Sequence, residues 1–107
     1  MINGKDIGMR PNMKHCILVK WNKEIKDKNA MADTVKSVFD KLLSIQGIHE
    51  IKYRKNCIDR ENRFDLLISI DMDKAVLSVY DTSAPHVEWK EKYGKFVEKK
   101  AIFDFEE

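Results

Sequence analysis

With 107 residues, the chain is long enough for one hydrophobic core and too short for two. Its 43% hydrophobic and 36% charged residues describe a folded domain with a charged coat and exclude a disordered segment. Lys and Arg total 20 against 18 Asp and Glu, for a net charge of +2 with the two signs interleaved, which argues against nucleic acid as a partner. The nearest approach to a basic run, Lys90, Lys92, Lys95, Lys99 and Lys100, is broken by Glu88, Glu91 and Glu98 and reads as a solvated helix face. No apolar run approaches the ~20 residues of a membrane span. Cys16 lies in an apolar run and Cys57 in a polar turn, which makes no disulfide framework. Met1–Asn12 carries Gly4, Gly8, Pro11 and charges where a signal peptide would have an apolar stretch. These features predict a cytoplasmic protein with a flexible extension over 1–12 and one domain over 13–107.

In chain order, His15 to Trp21 is rich in β-branched and aromatic residues and predicts a largely buried strand. From Asp27 to Gln46 the period changes: Met31, Val35, Val38, Phe39, Leu42 and Leu43 recur at three- and four-residue steps, as on an amphipathic helix, with Gly47 placed to end it. In Ile48 to Lys55, Ile51 and Tyr53 alternate with charged residues, the pattern of a strand with one wet face. The polar stretch Asn56 to Arg63 predicts a turn. Phe64, Leu66, Ile68, Ile70 and Met72 then alternate with Asp65, Leu67, Ser69 and Asp71, the clearest strand of the chain.

Asp73 is placed to cap a short helix carrying Val76, Leu77 and Tyr80. Thr82 to Pro85 interrupts it: Pro85 disfavours helical geometry at Ala84 but suits the first turn of a new helix, with Ser83 as its cap. The second piece sets His86, Trp89, Tyr93, Phe96 and Val97 on or near one face. Ala101, Phe103 and Phe105 alternate with Asp104 and Glu106 as a last strand. Strand, helix, strand, strand, broken helix, strand is the ferredoxin-like α+β order: a four-stranded antiparallel sheet with helices on one face. The first strand is apolar on both sides, so the face away from the helices needs a cover. A second copy of the same sheet about a two-fold axis supplies one, and a homodimer is expected.

Met13-Lys14-His15-Cys16-Ile17-Leu18-Val19-Lys20-Trp21 resembles the first strand of the stress-responsive A/B-barrel family, the dimeric α+β barrel or Dabb proteins. That strand has a histidine, an apolar run, then a lysine and an aromatic. Tyr80 to Trp89 is similar to the family's tyrosine, proline-containing break, histidine and following aromatic, and Ile102-Phe103-Asp104-Phe105 to its last strand. The resemblance spans Lys14 to Phe105. It implies a dimeric α/β barrel with a cavity between sheet and helices in each subunit. It implies no single activity, because the family includes stress-associated plant proteins, a polyketide cyclase and bacterial members of unknown role.

His86 and Tyr80 are the candidate catalytic pair. A histidine at a helix start is disfavoured as imidazolium, which suits a neutral base. In the cyclase branch the resemblance implies a general base at His86 and an oxyanion donor at Tyr80. His15, Tyr53, Leu66, Trp89, Tyr93 and Phe96 are the candidate lining of a pocket for a small apolar or aromatic molecule. Two departures lower the expectation of cyclase chemistry itself: Leu66 stands where the cyclase has a histidine, and Ser83 where the family often has one. His15, Cys16, His49, Cys57 and His86 show no metal-ligand spacing, and Gly4, Gly8, Gly47 and Gly94 form no phosphate loop, so neither metal nor cofactor is expected. Asn62 to Ile68 lacks the glycine and exposed aromatic pair of an RNA-recognition sheet. Two readings stand: a ligand pocket with proton-transfer chemistry at His86, and a non-catalytic stress-associated or structural dimer.

Overall fold

The computed structural model describes residues 11–107, so most of the leading segment lies outside the described residues. Four strands, β1 (Asn12–Trp21), β2 (Ile48–Lys55), β3 (Leu66–Asp73) and β4 (Val97–Glu106), form one antiparallel sheet in the order β2-β3-β1-β4. Three helices, α1 (Lys28–Phe39), α2 (Leu77–Asp81) and α3 (Ala84–Glu88), complete the ferredoxin-like α+β fold. Alternate residues of β1 and β3 are buried, and Ile17, Val19, Ile68, Ile70 and Met72 pack with Val35, Val38, Phe39 and Leu42 in one core. Burying each such aliphatic side chain contributes roughly 1.5–3 kcal/mol.

α1 begins where the Asp27 carboxylate accepts the Ala30 N–H at 3.0 Å. Its α-helical part stops at Phe39, and a 3₁₀ segment, Asp40–Ser44, replaces the expected continuation to Gln46. Three residues per turn bring Phe39, Leu42 and Ile45 onto one line against the sheet, which buries Leu42 and leaves Leu43 exposed. Gly47 then has φ 97°, a conformation open to glycine, in the turn closed by the Ile48 N–H on the Ile45 carbonyl. A Cβ there would lie 2.4 Å from Val76 Cγ2.

Three expectations need correction. β1 starts at Asn12, ahead of His15, because its ladder with β3 runs on to Asn12↔Asp73. Val97 belongs to β4, which starts well before Ala101 and stays paired with β1 past a bulge opposite Lys20 and Trp21. Glu98, Lys99 and Lys100 read as a solvated helix face, but charged residues also suit the edge strand that β4 is. Ala84 opens α3 instead of lying outside it. Asp73 takes the N-cap position of the 3₁₀ turn Lys74–Val76, and its carboxylate meets His49 Nε2 at 2.8 Å.

The register puts Cys16 opposite Ser69 and Phe103, and Leu18 opposite Leu67 and Ala101, all on the face away from the helices. Phe103 is 66% and Phe105 38% exposed, with their rings 6.0 Å apart. The expected apolar outer face is therefore present.

Candidate functional site

The helix break builds the site. Pro85 has no N–H, so the carbonyl four residues back, that of Asp81, loses the partner a continuous helix would give it. The side chain of His86 takes that carbonyl instead: Nδ1 donates to Asp81 O at 2.8 Å. The Tyr80 carbonyl accepts both the Ser83 N–H at 3.1 Å and the Ser83 hydroxyl at 2.7 Å. Ser83 Oγ in turn accepts the His86 N–H at 3.4 Å as the cap of α3. This local network sets the Tyr80 and His86 rings 4.6 Å apart.

A carbonyl oxygen only accepts, so Nδ1 carries the proton and neutral His86 presents an unprotonated Nε2. Burial lowers the His86 pKa, and Lys90 and Lys100 add to that lowering against the opposing hydrogen bond to Asp81 and its charge. Tyr80 is 1% exposed, and no hydrogen-bond partner for its hydroxyl is found among the described residues. Burial first, then Asp81 and Asp104, push its phenol well above the ordinary tyrosine value, so it remains a donor.

His15 comes to the same place from β1. It is buried, its ring meets Tyr80 edge-on at 5.1 Å, and its Nδ1 pairs with the Asp104 carboxylate opposite it on β4. His15, Tyr80, His86 and Trp89, with Ile17 and Ile102, line a cleft of about 270 Å³ between sheet and helices. The site thus holds an imidazole acceptor, a phenol donor and a carboxylate-held second imidazole over an apolar floor. A proton can be taken up at one point and negative charge received at another.

Of the eight residues expected, four meet here, and Tyr53, Leu66, Tyr93 and Phe96 do not line the cleft. Tyr53 donates to Asp40 at 2.7 Å beneath α1, and burial with that carboxylate raises its pKa. Leu66 is core at the far end of β3, paired with Val19. Tyr93 stacks on Trp89 at 6.3 Å, and Phe96 lies under the Lys95 ammonium. Trp89 has two roles, because its ring also packs edge-on against Phe39 at 5.5 Å and Trp21 at 6.1 Å. Asp104, Lys100 and the Asp81 carbonyl were not expected. Pro85 four residues after Asp81 was the one local signal; the other two need the β1–β4 register.

Among the described residues no group of three or more His, Cys, Asp or Glu is placed to hold a metal ion, and no helix is long and apolar enough to cross a membrane. No family model matches the chain, and no curated protein does. Solved structures do. A dimeric ferredoxin-like protein of unknown function from Bacteroides fragilis aligns over 90% of this chain and 96% of its own, at 20% identity and a TM-score of 0.75. A hydroxynitrile lyase from Passiflora edulis aligns over 92% and 94%, at 15% identity and a TM-score of 0.73. A Dabb family protein from Mesorhizobium loti aligns over 89% and 95%, at 15% identity and a TM-score of 0.69. At these identities the similarity establishes the shared ferredoxin-like fold.

Proposed function

We propose that the chain is a homodimeric stress-responsive A/B-barrel protein that binds a small apolar or aromatic molecule in the cleft and catalyses proton transfer there. The observation that carries this reading is the convergence of His86, Tyr80 and His15 on one cavity, with the His86 tautomer fixed by Asp81. Nε2 of His86 takes a proton from an activated carbon or hydroxyl of the ligand. The Tyr80 hydroxyl donates to the oxygen on which charge develops, and His86 then returns the proton to product or water. His15, oriented by Asp104, flanks Tyr80 and fixes its ring. The fold supports chemistry elsewhere, since one similar structure is a hydroxynitrile lyase.

Support for the dimer is the outer face itself. A contiguous apolar surface containing Phe103, Phe105, Leu18 and Leu67 is the kind that marks an interface, and the similar protein from Bacteroides fragilis is described as dimeric. The non-catalytic reading draws on Trp89, whose packing against Phe39 and Trp21 is that of a core residue.

Deuterium wash-in to a panel of β-dicarbonyl carbon acids, followed by NMR, separates the two readings. Wild-type protein is expected to accelerate exchange of at least one member, and His86→Gln to lower that rate roughly 10²- to 10⁴-fold. Equal rates in both proteins would remove His86 as the base, and no acceleration by the wild type would favour the non-catalytic dimer.

A further inference from the structure

We infer that the cleft is selective for a small monocarboxylate, with its charged group held by Lys100 and its other end beside His86 and Tyr80. This rests on the ligand-pocket reading above and adds the charge and orientation of what enters. Lys100 pairs with Val19 across the β1–β4 ladder, and Val19 is a fully buried residue of the helix-side core. Cross-strand partners share a face, so Lys100 projects toward the helices and not toward the open side of the sheet. It lines the cleft next to Ile102.

Lys14, Lys28, Lys36, Lys41, Lys74 and Lys92 each form an ion pair with a carboxylate, whereas Lys100, the lysine of the cleft wall, forms none among the described residues; Lys90, whose charge also acts on His86, forms none there either but does not line the cleft. Asp104, on the same strand, is taken by His15. Asp81 lines the helical wall and gives its carbonyl to His86. Of the lysine and carboxylate residues that line the cleft, Lys100 stands on the strand wall and Asp81 on the helical one, so an anion is drawn toward the strand wall, which orients it. Ile17, Trp89 and Ile102 supply apolar surface for its hydrocarbon part. The Tyr80 hydroxyl, buried without a hydrogen-bond partner among the described residues, offers a donor to a second oxygen of the ligand.

Benzoate and benzamide, similar in shape and different in charge, make the test, with binding to full-length protein followed through the His86 and Tyr80 side-chain NMR signals. Benzoate is expected to shift both signals saturably and to bind about tenfold more tightly than benzamide, the factor of one charge-assisted hydrogen bond at a partly exposed site. In Lys100→Met that preference disappears, and Lys100→Arg restores it. Raising the salt concentration narrows the gap in the wild type. If benzamide binds the wild type as tightly as benzoate, the anion preference is refuted and the pocket survives. A preference retained in Lys100→Met rules out Lys100 as the recognising group. If neither probe moves the His86 signal, the pocket reading fails as well. Lys100 is exposed, and an unchanged unfolding midpoint for Lys100→Met checks that its fold is intact.

Discussion

β4 treats the two faces of the sheet differently from β1 and β3, whose helix side is the apolar core of Ile17, Val19, Ile68, Ile70 and Met72. Along β4 the residues alternate between the faces: Ala101, Phe103 and Phe105 stand on the open face, while Lys100, Ile102 and Asp104 stand on the face toward the helices. The open face thus shows two phenylalanines to solvent, and the covered face carries a lysine, an aspartate and the buried His15. A strand that served only to close a core would place these residues the other way round. The difference teaches that neither face of β4 is accounted for by the stability of one subunit. In the function proposed above, one side meets the sheet of a second copy and the other borders the ligand cleft.

Substitutions on the two faces should therefore fail in different ways. The largest effect belongs to the ordinary core: Ile70→Ala, fully buried in β3, is expected to cost about 2–5 kcal/mol in urea unfolding. Phe103→Asp on the open face is expected to leave the subunit folded and to weaken the dimer about a hundredfold, roughly 3 kcal/mol, as read by sedimentation equilibrium. A Phe103→Asp protein that stays dimeric would place the interface elsewhere. Asp104→Asn on the covered face should cost about 1 kcal/mol, since it weakens a hydrogen bond to a partly exposed carboxylate, and should leave assembly alone.

The smallest effect is in pH dependence. His86 has a lowered pKa in the folded state, so the unfolded chain binds its proton first as pH falls. The stabilising contribution is present above the ordinary histidine value and is lost as pH falls through the lowered folded value. Wild-type protein should accordingly lose more stability than His86→Gln in that window. Equal losses would mean that His86 is not held neutral by its surroundings.

Much of this arrangement was legible in the residues. Period-two and helical spacing located β2, β3 and α1, because each buries one stripe against the same core. Ser83 and Pro85 announced the break and its cap, and β1, apolar on both sides, announced the outer face. What stayed hidden depends on partners far away in sequence. Lys100 reaches the cleft, and Asp104 reaches His15, through the β1–β4 register, which no local pattern reveals. Tyr53, Leu66, Tyr93 and Phe96 are aromatic or apolar residues whose type fits a pocket and a core equally well. Packing alone distinguishes the two, and it sends all four elsewhere.

The central claim is that His86 is a neutral base with Nε2 turned to the cleft, and the ring-nitrogen shifts of His86 by ¹⁵N NMR test it most directly. At neutral pH the expected spectrum has a protonated Nδ1 and an unprotonated Nε2, the tautomer that the Asp81 carbonyl imposes. A spectrum with the proton on Nε2, or of a fully protonated ring, would contradict the account.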